Sequence, residues 1–174
     1  MALAITGTGN GSLNNLALSA NTGTIVDTAR AGGVIQVVQN TYATQVGITT
    51  TTYTDSGLSA SITPTSSSNK ILIITNQQYQ WLRGQVDQGI GIRLLRDSTT
   101  IWEPPVGAGP YYNYIDNSAE HNSYSNIIYL DSPATTSSVT YKTQGRPYST
   151  SSSGSIKFQT TNVVSTMILM EVVA

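Results

Sequence analysis

From Gly33 onward, no stretch of this 174-residue chain keeps apolar residues at the 3.6-residue period an amphipathic helix needs. Instead, short β-branched and aromatic runs are cut at regular intervals by turn residues. Val34 to Tyr42 reads as a first strand, and Thr49 to Tyr53 follows the break at Gly47. Leu58 to Ile62 alternates and stops at Pro64, after which residues 65–69 read as a loop. Lys70 to Trp81 is the longest candidate, and its first half is apolar on both parities, as in a strand covered on both faces. Ile90 to Arg96 puts Ile90, Ile92 and Leu94 on one face, and the Asp97-Ser98 turn leads into Thr99 to Trp102 as a tight hairpin. Pro104, Pro105, Gly107, Gly109 and Pro110 make a loop. Strands resume at about residues 123–130, 138–144, 155–160 and 163–173; in the last, Val164, Thr166, Ile168, Met170 and Val172 share one face, and Met167 and Leu169 the other. Eight or so short strands with turns between them predict an all-β, jelly-roll-like β-sandwich. No internal repeat of fixed period points to a propeller or solenoid.

Residues 1–32 are different in kind. They are rich in Gly, Asn, Thr and Ala, hold no aromatic residue, and carry only Asp27 and Arg30 as charges. Such a segment cannot bury enough surface to offset its own ordering entropy. It reads as an extended N-terminal arm, either disordered or a strap that docks onto something else through Leu13, Leu16, Leu18, Ile25 and Val26, with docking preferred and residues 33–174 as the β-sandwich domain. Nothing near the start has the basic region and long apolar run of a signal peptide.

Composition then narrows the partners. Only 10% of residues are charged against a usual ~25%, and 25 Thr and 21 Ser supply the polarity instead. Eight Lys and Arg spread along a chain of net charge -1 give no basic patch for phosphate, so no nucleic-acid partner is expected. Apolar runs of about four residues exclude a membrane-inserted helix. Zero cysteine excludes disulfides, thiolate metal sites and cysteine nucleophiles.

Chemistry has few places to sit. His121, the single histidine, lies between Asp116, Glu120 and Asn122; an acid–base or metal cluster there would need further groups, and a polar loop histidine accounts for it as well. Glu120 and Asp116 lack the ligand spacing of a calcium loop, and no nucleophile elbow, zinc-helix or phosphate-loop motif occurs. No enzyme activity and no cofactor are expected. Tyrosine is the dominant ring, at 10 residues, and Tyr111, Tyr112 and Tyr114 follow Trp102 across the Pro/Gly loop. Rings with polar tips suit a sugar or protein surface, so these four residues are candidate contacts for a host surface glycan or receptor; filling of the core and subunit seams is the alternative. Arg83, Arg93 and Arg96 lie close in sequence to Asp87 and Asp97 and read as a salt-bridged face. Apolar residues on both strand faces exceed what one solvated sheet needs, which points to burial between copies of the chain at Ile71, Ile73, Leu95, Met167 and Leu169.

The ordered runs Gly33-Val-Ile-Gln-Val-Val-Gln-Asn-Thr-Tyr42, Thr51-Thr-Tyr-Thr-Asp-Ser-Gly-Leu58, Ala60-Ser-Ile-Thr-Pro64, Ser67-Ser-Asn-Lys-Ile-Leu-Ile-Ile74 and Ile92-Arg-Leu-Leu-Arg96 resemble a module family of bacteriophage virion proteins, tail-fibre-like or head-surface proteins of aquatic phages. The resemblance spans roughly residues 33–173. It implies a jelly-roll-like surface module that associates as a homotrimer, carries no catalytic residues, and is attached by a glycine-rich N-terminal extension. On that basis the expected place is the virion surface after assembly in the host cytoplasm, and the expected partners are itself and a major capsid protein or a tail protein. Capsid decoration (a cement protein) is preferred over a tail-fibre role in host attachment because the arm is too short for a fibre shaft. A free carbohydrate-binding module is the competing class.

Overall fold

The computed structural model describes residues 31–83, 88–105, 111–113 and 119–174. Eleven strands occur in these residues, with two single 3-10 turns and no α-helix. They are β1 (Val34–Tyr42), β2 (Val46–Ile48), β3 (Thr54–Ile62), β4 (Lys70–Arg83), β5 (Gln88–Arg96), β6 (Thr99–Trp102), β7 (Tyr111–Asn113), β8 (Ala119–Asp131), β9 (Val139–Pro147), β10 (Ser155–Phe158) and β11 (Ser165–Val172). All pairings are antiparallel.

The pairing is nested. β1 pairs with β11, β2 with β10, β3 with β9, β4 with β8 and β5 with β7, so the chain forms one long ribbon folded back on itself. Wrapping that ribbon brings β4 against β10 and β11, and β5 against β9. The result is a larger sheet ordered β1-β11-β4-β10-β2, with β8 on the other edge of β4, facing a smaller sheet ordered β3-β9-β5-β6, with β7 also on β5. A wrapped antiparallel ribbon in two facing sheets is a jelly roll, as the turn-punctuated sequence predicts. The hairpin at Asp97-Ser98 forms as expected, and Asp97 takes the left-handed conformation (φ 53°).

Local differences from the sequence reading have physical causes. The second strand is Val46–Ile48, on the N-terminal side of the expected 49–53, because Ile48 pairs with Ile156 while residues 50–52 bend outward. β3 begins four residues before the expected start, with a bulge between Asp55 and Ser59. Gly57 sits in that bulge at φ +87°, and the space a Cβ would fill is taken by the Tyr42 ring. Both demands select glycine.

The core lies between the sheets. Ile71, Ile73, Tyr79 and Trp81 of β4 and Met167 and Leu169 of β11 meet Leu58 and Ile62 of β3, Ile90, Ile92 and Leu94 of β5, and Tyr141 of β9. Polar groups are enclosed with them. The Gln77 carboxamide on β4 accepts hydrogen bonds at Oε1 from Thr143 Oγ1 (2.7 Å) on β9 and Ser56 Oγ (3.1 Å) on β3. Its Nε2 donates to Ser165 Oγ (2.9 Å) on β11 and to the Gln78 carbonyl (3.1 Å). Ser56 and Thr143 also stand 2.6 Å apart, so two hydroxyl protons serve three contacts. At one end of the sandwich, Arg96 donates to both oxygens of Asp131 (3.1 and 2.8 Å), and Tyr141 donates to Asp131 Oδ2 (2.7 Å), joining β5 and β9 to β8. Burial, then the Asp131 carboxylate beside it, push the Tyr141 hydroxyl far above its ordinary pKa.

Glu171 is fully buried on β11 and accepts from Asn69 Nδ2 (2.7 Å), Thr65 Oγ1 (2.7 Å) and the Thr65 amide (2.7 Å). Burial alone raises a carboxyl pKa, but these donors outweigh it and hold Glu171 below its ordinary value of 4.5. A carboxylate with a depressed folded-state pKa contributes stability that is full above the unfolded value and is lost as pH falls through the folded one. Urea unfolding followed from pH 7 downward therefore shows a loss of stability beginning near pH 4.5. In Glu171→Gln that slope shrinks, and Asp55, depressed against its own desolvation by Gln144 and Lys142, contributes to the part that remains. Gln77→Met keeps the volume and removes the carboxamide bonds; unfolding free energy drops by about 1–3 kcal/mol in the same assay.

Candidate functional site

Strand alternation sends one parity of the larger sheet into the core and the other outward. The outward parity carries an apolar ladder. Its first rung, across four strands, is Leu130, Leu72, Met170 and Val37; its second is Ile128, Ile74 and Ile168, ending on Gln39. Ile128 is 71% exposed, Val37 58% and Leu130 50%, and the central residues are partly exposed. A third rung of Asn126, Asn76, Thr166 and Thr41 is polar but uncharged. Lys70, beside Val172 and Val34, is the charge at the corner of this face. Solvated sheet faces ordinarily alternate to polar residues, and these two adjacent apolar rungs depart from that rule.

The ladder ends on an open strand. Among the described residues β8 pairs with β4 alone, over 13 residues, and its other edge is unpaired. Long, apolar edges of this kind template further pairing.

The residues singled out in the sequence fall elsewhere. Ile71, Ile73, Met167 and Leu169 have no exposed surface and pack inside the sandwich, so they cannot meet a second copy; the apolar residues that can are their outward neighbours Leu72, Ile74, Ile168 and Met170. Leu95 is also buried, at 3% exposure. Trp102 ends β6, the strand expected there, and packs half-buried against the core. Tyr111 and Tyr112 belong to the short strand β7, paired with Ile90 and Gly89 of β5. Tyr114 lies outside the described residues, as do Leu13, Leu16, Leu18, Ile25 and Val26 of the arm. The arm joins the sandwich where the Gly32 amide donates to the Val173 carbonyl (2.8 Å) and the Val173 amide to Gly33 (3.0 Å).

The histidine and arginines have structural partners. His121 stacks on Trp81 with centroids 5.8 Å apart. No group of three or more His, Asp or Glu able to hold a metal ion occurs among the described residues. Arg96 pairs with Asp131 instead of Asp97, whose carboxylate accepts the Thr140 amide (2.9 Å). Arg93 donates twice to Gln144 (2.9 and 2.7 Å) and lies 3.6 Å from Glu103. The guanidinium groups of Arg93 and Arg146 stand 4.1 and 4.6 Å from the Tyr53 ring centroid. Burial, then Glu103, push the Tyr53 hydroxyl up to about 12.

No family model matches the sequence, and no curated protein matches it. Solved structures of infectious bursal disease virus are similar. A mutant VP2 protein in T=1 particles gives a TM-score of 0.38 at 12% identity over 82% of this chain and 37% of the VP2 chain. The Gt strain gives 0.35 at 12% identity over 83% and 39%, and the VP2 subviral particle 0.33 at 13% over 80% and 38%. The chain thus spans well under half the length of the viral chains it matches.

The opposite burial of the two parities sets a direct test. In urea unfolding at low protein concentration, Met167→Ala costs about 2–5 kcal/mol, whereas Ile128→Ala stays within about 0.5 kcal/mol.

Proposed function

We propose that this chain is a non-enzymatic structural protein of a virus particle, a jelly-roll module that associates with copies of itself and decorates the particle surface. The observation that carries the reading is the uncharged apolar ladder beside the open edge of β8. The two apolar rungs and the polar rung beside them cover some six residues on each of four strands about 4.8 Å apart, a footprint of roughly 400 Å² per copy. That is about half of the ~800 Å² per partner that stable complexes bury, and pairing along the open edge of β8 adds to it. The two apolar rungs carry no charge to repel a second copy, Lys70 standing apart at the corner, and such a chain has few other means of keeping the ladder from water.

The viral setting is supported by the run of motifs over residues 33–173 that resembles phage virion modules, and a three-fold arrangement is what that resemblance implies. Residues 1–32 then serve as the anchor, with Leu13, Leu16, Leu18, Ile25 and Val26 seated on a major capsid protein. Decoration is favoured over a tail-fibre role because the proposed association surface is the broad side of a sheet.

The test uses particles. Deleting residues 2–30 removes the chain from purified particles while the soluble protein keeps its β circular-dichroism signal. Ile128→Lys lowers the sedimentation coefficient of the soluble protein to that of a monomer. A wild-type chain already monomeric at micromolar concentration, or particles that retain the truncated chain at full occupancy, overturn the reading. Density for the chain only at the tail replaces decoration with a tail role.

A further inference from the structure

Beyond the polar third rung, the outward face of the larger sheet changes character. Here β11 has ended, and the link between β10 and β11, containing the 3-10 turn Thr160–Asn162, rises over the sheet. Between this link and strands β4 and β8 lies a cleft of about 420 Å³, walled by Gln78, Gln80, Asn122, Tyr124, Thr160 and Thr161. Its size falls in the range of small-ligand sites.

Three observations make the cleft more than a surface dip. First, its wall is built at a conformational cost: Gln159, Thr161 and Asn162 all take left-handed backbone angles (φ 50°, 54° and 60°), which β-branched threonine in particular disfavours. Strain of this kind persists only where surrounding structure enforces it, and it concentrates at ligand clamps. Second, the enforcing contacts run to the core. The Thr160 amide donates to Gln78 Oε1 (2.8 Å), and Gln159 Nε2 donates to Ser165 Oγ (3.0 Å), the hydroxyl that also receives Gln77. Third, the Thr160 hydroxyl behind this wall is buried with no hydrogen-bond partner in the chain, a further cost carried by the link that forms the wall.

The lining also defines the ligand. No charged side chain lines the cleft; three carboxamides, Ser123, two threonines and Val163 do, beside a Tyr124 ring that is 50% exposed. Carboxamides pair with neighbouring hydroxyls of a sugar ring, and an aromatic face covers its apolar C–H side. Gln80 is flanked by a charge of each sign, the Glu120 carboxylate 3.5 Å from its Nε2 and Lys157 opposite it on β10, so neither sign of ligand charge is favoured. We propose that this cleft binds a neutral saccharide of one to two rings, with Tyr124 as the stacking platform and Asn122 and Gln80 as hydrogen-bonding groups. The site differs from the Trp102 and Tyr111 region, and the proposal does not depend on the particle role.

The full-length chain is passed over immobilised neutral tetrasaccharides of glucose, galactose and N-acetylglucosamine, with sialylated and sulfated glycans alongside. The expected result is retention on at least one neutral glycan, competed by the same free tetrasaccharide. Tyr124→Ala and Asn122→Ala, both at exposed positions, each weaken retention tenfold or more with no change in melting temperature. Deleting residues 2–30 leaves it unchanged, which separates this site from the arm. Retention on no neutral glycan, retention only on anionic ones, or equal retention by both variants overturns the proposal.

Discussion

Gln77 is the point at which the two sheets are fixed to one another. Apolar packing between sheets is non-directional, and a slip of two residues along β4 exchanges one apolar side chain for another of similar size. A carboxamide whose four hydrogen-bonding positions all face partners does not allow it: Ser56, Thr143 and Ser165 must come from β3, β9 and β11 at one register. Satisfied buried polar groups contribute specificity of this sort, because any other arrangement leaves them unpaired in a medium of low polarity. A nested ribbon needs such a pin, since each pairing in it depends on the one inside. The Arg96–Asp131–Tyr141 group does the same at one end of the sandwich, and Glu171 ties the loop at Thr65 and Asn69 to β11.

The same polar insertion limited what the sequence disclosed. Strand positions and the jelly-roll class were readable because turns fall where Gly, Pro and Asp-Ser fall, and β1, β4, β6 and β11 lie close to their expected places. Which way each strand faces was not. On β4 and β11 both parities are apolar, and the inward one is interrupted by Thr75, Gln77, Ser165 and Glu171. Hydrophobic alternation has no means of assigning such a polar-bearing face to the core, and Ile71, Ile73, Met167 and Leu169 were accordingly expected on the wrong side of the sheet. β7 was hidden for another reason: three residues carry no periodicity, and their place on β5 is set by a partner distant in sequence.

Site residues were legible only where a single side chain suffices. Tyrosine abundance was visible, but not the division of labour among the rings. Tyr141 is a buried donor to Asp131, Tyr53 sits against two guanidinium groups, Tyr42 fills the space over Gly57, and Tyr124 alone of these stands half-exposed beside a cleft. The Gln78 and Gln80 pair could have drawn notice as polar residues of one parity continuing an apolar strand. Their role appears only once the link through Thr160 closes over them, a contact between positions 82 residues apart.

The uncharged outward ladder has a thermal consequence. Contacts made through it depend on the hydration of apolar surface, whose driving force near room temperature is entropic and weakens on cooling. Ion-pair interfaces loosen with added salt; an interface built on this ladder, as proposed, is indifferent to sodium chloride and tightens in sulfate. A layer of modules joined in that way holds more firmly warm than cold, so its cohesion follows the temperature of the surroundings rather than their pH.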